Sequence, residues 1–308
     1  MTPTVFFQNP FRTKPGNPPI HGYSHGVAYF SAGSWWYSGL NFGGSAQPVP
    51  ITPQDLPTLK TWILGIFGDP APEESDYIPG TAYKRIHRPL NTGGTLRKAI
   101  DTEAETQSFV ALKILLSKME DVFETVEPSQ SNLIACGHKI REILLLAAME
   151  VEASWAAVLK VNNYPGSRFS TNDYVKLLQP MLLDSFKLTL RSYPKFPAII
   201  PFKGWNPQSP TKSLDWYDAY NQTKHNREAH LGAATLGRAV NAVGAAAVMF
   251  YAQFGYMFRH DDEKRGFLRN IFTLNIEHAM YPTACYIPHA EGGTKAWEWQ
   301  LMDYPFPP

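Results

Sequence analysis

The chain has 308 residues and 44% of them are hydrophobic, which suits one large domain or two ordinary ones and excludes a disordered polymer. A formal net charge of +1 supplies no bulk field for nucleic acid or membrane, so an anionic partner must be held by a local cluster. The two cysteines, Cys136 and Cys285, lie far apart, which excludes a disulfide framework and zinc-type spacing and points to a reducing, cytoplasmic setting.

Residues 1–100 are rich in Pro, Gly and aromatics. Prolines such as Pro10, Pro15, Pro48, Pro50, Pro53 and Pro57 exclude long helices over most of this stretch. Gly26–Phe30 and Trp35–Tyr37 read as short strands or packed loops, and Leu56–Phe67 is the one helical candidate. The expected arrangement is an irregular N-terminal wrap with short strands around the main body, or else a small separate domain. The opening Met1-Thr2-Pro3-Thr4 has no basic patch followed by an apolar run, so no signal peptide is expected.

Helical periodicity begins near Thr102. Phe109, Leu112, Leu115, Leu116, Met119 and Phe123 follow the three-to-four spacing of an amphipathic helix. Pro128-Ser129-Gln130-Ser131 breaks it and leads into a second helix, about Asn132 to Val161, whose middle is apolar on every side and therefore central. Phe186–Leu190 alternates like a strand, and a Pro-rich connection covers residues 194–210. Helix resumes at Leu214 and is expected to run, with a kink, to about Phe258. Within it, residues 239–258 carry no charge, but Asn241, Gln253 and two glycines make a helix buried among helices the better reading than a membrane span. The fold class expected is mainly α: a four- to five-helix bundle over residues 101–260, with a short C-terminal extension over 261–308.

The polar centre is the run from Tyr220 to Arg227. At about 100° per residue, Tyr217, Asn221, Lys224, His225 and Glu228 fall in one arc, followed along the same helix by Leu231, Leu236 and Ala239. This continuity predicts that Lys224 and His225 point inward. Glu150, flanked by Ile143, Leu146 and Ala147, is the expected partner, while Glu152, about 160° away, serves another neighbour. Two roles are open for the cluster. One is a hydrogen-bonded network that fixes helix register. The other is an acid–base site, with His225 moving a proton, Lys224 and Arg227 holding a phosphate and Asn221 orienting the substrate.

The apolar helix from Gly137 through Glu152, followed by Trp216–Glu228, resembles the HEPN superfamily of helical domains over roughly residues 102–258. That family's motif is an arginine, a polar residue that is often asparagine, and a histidine a few positions on. Asn221 and His225 match the last two, and Tyr220 stands at the arginine position. The resemblance implies a domain that pairs as a homodimer or joins a larger assembly and acts on RNA or a nucleotide, as a metal-independent endoribonuclease of a toxin or antiviral system. It equally implies the alternative found in inactive members: a non-catalytic interaction or dimerisation module. Catalytic roles then fall to His225, Lys224, Asn221 and Arg227, with Glu150, Glu228 and Tyr220 in support. The Gly- and Ala-rich segment 231–247 offers a close-packing face for a second copy. No cofactor or metal is expected: His21 and His25 lie in a Gly/Pro-rich segment that lacks helical ligand spacing, and Thr92-Gly93-Gly94-Thr95 lacks the full phosphate-loop pattern. Tyr29, Trp35, Trp36 and Tyr37 read as packed aromatics before base-stacking ones.

Overall fold

The computed structural model describes residues 4–10, 23–42, 48–51, 59–88, 90–91, 101–255, 263–277, 285–287 and 299–307. The chain opens with strands β1 (Thr4–Gln8), β2 (His25–Ser31), β3 (Ser34–Phe42) and β4 (Val49–Pro50), then helix α1 (Leu59–Phe67). Short strands β5 (Glu73–Ser75), β6 (Thr81–Tyr83) and β7 (Leu90–Asn91) follow. Helices α2 (Thr102–Phe123), α3 (His138–Val161) and α4 (Thr171–Tyr174) precede β8 (Phe186–Leu190). Next come α5 (Asp215–His225), α6 (Arg227–His230), α7 (Leu236–Phe254) and α8 (Glu263–Ile271), then β9 (Phe272–Ile276), β10 (Cys285–Tyr286) and β11 (Gln300–Met302). These sort into two compact units: residues 1–83, 88–100 and 280–302 form the first, and 84–87, 101–279 and 303–308 the second.

The first unit carries a sheet, which overturns the mainly α fold class. Strands β5, β1, β2 and β3 pair antiparallel in that order, β4 and β7 each add antiparallel to β3, and β10 runs parallel to β7. With eight helices as well as this sheet among the described residues, the fold is mixed α/β. The prolines do exclude long helices, but they do not exclude strands. Pro50, for instance, sits in β4, which pairs only with β3 among the described residues, at a position where a missing N–H costs the ladder nothing. The β2–β3 hairpin closes through Ala32 and Gly33, both with positive φ, the backbone that a two-residue turn between twisted strands demands. A Cβ on Gly26 would lie 2.4 Å from the Phe7 ring, so glycine is required for that ring to cross β2. Phe7 stacks on Phe67 of α1 at 4.4 Å, and Val5, Tyr37, Ile51 and Ile63 complete the core beneath. Tyr29 and Tyr37 are thus packed aromatics, buried in the sheet.

In the second unit α3 and α7 lie side by side, with α2 against both. From Ala239 to Phe254, every residue of α7 except Asn241 is buried. A Cβ on Gly244 would sit 2.5 Å from Ile199, so the small residues of α7 admit this chain's own Ile199 segment. At Gly244, then, the Gly- and Ala-rich face is covered by this chain itself. No helix among the described residues is long and apolar enough to cross a membrane. Strand β8 does form where alternation placed it, paired antiparallel with β9. Glu105 of α2 and Arg265 of α8 make a buried ion pair at 2.7 Å. Arg265 also donates to the C-terminal carbonyls of α7, Phe254 O at 2.6 Å and Gly255 O at 2.8 Å.

Candidate functional site

Helix α5 carries Asp215 and Asp218 in its first turn and Lys224 and His225 in its last, each sign placed where the helix dipole favours it. The helix ends at Asn226, whose backbone leaves helical geometry (φ −143°, ψ 83°). The Asn226 side chain then caps the four-residue α6 by accepting from Ala229 N at 3.1 Å. The expected continuous helix from Leu214 to Phe258 is therefore broken between residues 226 and 235, with residues 256–258 outside the described set. An angular phase carried from Asn221 to Ala239 has no meaning across that break.

The consequence is visible at each predicted site residue. His225 is exposed. Asn221 turns back on its own helix, donating to Tyr217 O at 3.0 Å, and so is not free to orient a substrate. Glu228 is exposed on α6, and the side chain of Arg227 lies outside the described residues, as do His21 and residues 92–95. Lys224 is exposed but engaged: its Nζ donates to the Tyr220 hydroxyl at 2.9 Å and lies 5.0 Å from the centre of that ring.

Tyr220 is buried, and its hydroxyl donates to Glu152 Oε2 at 3.1 Å. Tyr217, also buried, donates its hydroxyl to Glu152 Oε1. The polar cluster is thus real, but its carboxylate is Glu152 and its arginine-position residue, Tyr220, is a structural donor. Burial first, then the adjacent Glu152 charge, holds the Tyr217 phenol far above its ordinary range. Burial also raises Tyr220, opposed by the hydrogen bond from Lys224. That same bond raises the Lys224 ammonium. Each shift favours neutral tyrosines and a charged lysine around the carboxylate. A third tie comes from Arg141 of α3, which donates to Thr223 O at 2.9 Å. The tyrosine rings pack toward Trp155, which stacks on Trp205 at 5.0 Å and lies 5.5 Å from Tyr217.

Glu150 goes elsewhere. It lines a cleft of about 320 Å³ with Arg85 and residues of α2 and α3, and neither Lys224 nor His225 belongs to it. Burial raises the Glu150 carboxyl above its ordinary range. The signal that separates the two carboxylates was present in the sequence: Tyr217, Tyr220 and Lys224, spaced three and four apart, share one face and offer two hydroxyls and an ammonium to a single acceptor. Among the described residues no group of three or more His, Cys, Asp or Glu side chains is arranged to hold a metal. No protein-family model, curated protein or solved structure matches the chain.

Proposed function

We propose that the second unit is a non-catalytic helical interaction module whose polar centre locks α5 onto α3. The observation that carries this reading is the occupancy of Glu152: one tyrosine hydroxyl on each oxygen, with Lys224 closing the chain behind Tyr220. The groups capable of acid–base work are spent on each other, and none of the groups in that chain reaches His225. A module of this kind needs apolar surface for a partner protein, and Val110 and Ile114 on α2 and Met149 on α3 are each more than half exposed.

One observation favours a second reading, a HEPN-like domain acting on RNA. His225 is accessible to solvent and follows Lys224 in the sequence. A single comparison separates the two. For the interaction module, Tyr217→Phe removes a charge-assisted hydrogen bond and costs about 1.5–3 kcal/mol in urea denaturation. His225→Ala then changes stability by less than about 0.5 kcal/mol, and the parent protein leaves single-stranded and hairpin RNA intact. Cleavage of either RNA by the parent, abolished by His225→Ala with stability retained, would establish the second reading over the first.

A further inference from the structure

The cleft that holds Glu150 has the makings of a ligand site distinct from the Glu152 lock. Its volume, about 320 Å³, lies at the small end of the range for small-molecule pockets. It exists because α2 and α3 face each other through Ala104, Ala111, Ala153 and Ala157, where larger aliphatics would fill the space. Its walls also offer polar groups in Gln107, Ser108 and Ser154.

Arg85 and Glu150 both line this cleft, yet no ion pair or hydrogen bond joins them. The Arg85 guanidinium lies 5.4 Å from the Phe254 ring centre, and its buried Nε has no acceptor. Burial lowers the Arg85 pKa, with Asp101 acting against it, and burial alone raises Glu150. Two opposite charges are therefore partly stripped of water without compensating each other, an arrangement that costs free energy until a ligand supplies counter-charges.

The backbone holds Arg85 in place for such a role. Its φ is +54°, a conformation that a residue with a Cβ adopts at a cost of about 1 kcal/mol or more. Both neighbours in the chain are pinned. Lys84 O accepts from Asn162 Nδ2 at 2.9 Å, His87 N donates to Ala252 O at 2.7 Å, and Ile86 between them is buried. A strained residue anchored close by on either side, lining a cleft with its charge unpaired by Glu150, is a preorganised recognition element.

We infer that this cleft binds a small zwitterion, with a carboxylate on Arg85 and an ammonium group on Glu150. A purely anionic ligand would leave Glu150 without a partner, and a purely cationic one would leave Arg85 with only the charge of Asp101 to oppose it. The inference does not depend on the interaction-module reading, since the residues involved are different.

The test uses the full-length chain and three zwitterions of increasing charge separation: glycine, 4-aminobutyrate and 6-aminohexanoate. Sodium acetate and methylammonium chloride at matched ionic strength are the single-charge controls. The expected result is a rise in Tm, with saturable heat in calorimetric titration, for at least one zwitterion and neither control. Arg85→Gln and Glu150→Gln each weaken that binding by about tenfold or more. Ala153→Leu, which fills the cleft without touching either charge, abolishes it and serves if a charge variant fails to fold. No response to any of the three zwitterions, an equal response to acetate or methylammonium alone, or binding that survives Ala153→Leu would overturn the assignment.

Discussion

His87 shows what enclosure does to a single titratable side chain. Its imidazole lies in the second unit against Gly255, where an added Cβ would come within 2.8–3.0 Å of the ring. Desolvation first, and the positive charge of Arg265 second, push its pKa down to about 4. Above pH 6.5 neither folded nor unfolded chain carries the proton. Between 6.5 and about 4 the unfolded chain takes it up and the folded one does not, so stability falls as pH is lowered through that window. The loss amounts to about 3 kcal/mol at full expression. Comparing urea midpoints of the parent and His87→Gln at pH 7 and pH 4.5 checks this. The parent should lose markedly more over that interval, and equal losses would show that His87 is protonated in the folded chain.

At the same scale, the site was half legible. Residue spacing within one unbroken helix is reliable, and it puts Tyr217, Tyr220 and Lys224 on one face of α5, whereas Asn221 turns back on its own helix and His225 is exposed. The partner was misassigned because the argument for Glu150 needed the phase of α7, beyond the break at Asn226. A capping asparagine inside a polar run has the composition of a helix surface, and only its backbone angles reveal the break.

Elements defined by long-period patterning were the most legible. Helix α2 spans Thr102–Phe123, with the predicted Leu112, Leu115, Leu116 and Met119 buried, and β8 covers Phe186–Leu190 as its alternation indicated. In the first unit the runs Gly26–Phe30 and Trp35–Tyr37 mark parts of β2 and β3, but the sheet as a whole was not legible, because most of its strands are short and several pair with residues distant in sequence, such as β7 with β10 and β6 with β11. What joins elements is equally hidden. Glu105 and Arg265 stand 160 positions apart, yet their buried pair ties α2, α8 and the end of α7. Removing one partner leaves the other charge buried without compensation, so Glu105→Gln should cost about 3–5 kcal/mol. The double variant Glu105→Leu, Arg265→Met should recover only part of that loss, since two apolar groups need no partner but Phe254 O, Gly255 O and Lys264 lose theirs. Equilibrium unfolding of the single and double variants decides it. A single variant as stable as the parent would mean that solvent reaches the pair.

At the scale of the molecule, the second unit is assembled from three separate lengths of chain, and Asn162 is where they meet. Its side chain is almost fully buried at the end of α3. Nδ2 donates to Lys84 O at 2.9 Å and Val158 O at 2.8 Å, while Oδ1 accepts from Tyr304 N at 2.8 Å. One amide thus uses both its protons and its oxygen to hold residues 84–87 and 303–307 against the helix. Beside it Lys84 and Asp303 pair at 2.7 Å, half-exposed, adding little by comparison. Asn162→Ala removes the hydrogen bonds to Lys84 O and Tyr304 N together with a buried side chain, for an expected loss of about 2–4 kcal/mol. Asn162→Asp keeps the acceptor but loses both donors, and should fall at least as far at neutral pH because it also buries a charge. A fragment of residues 101–279, cut at the limits that sequence continuity suggests, lacks both flanking strips and should melt below the full-length chain by a similar margin. If that fragment and Asn162→Ala both matched the parent in Tm, the two short strips would be passengers on a helical body that stands without them.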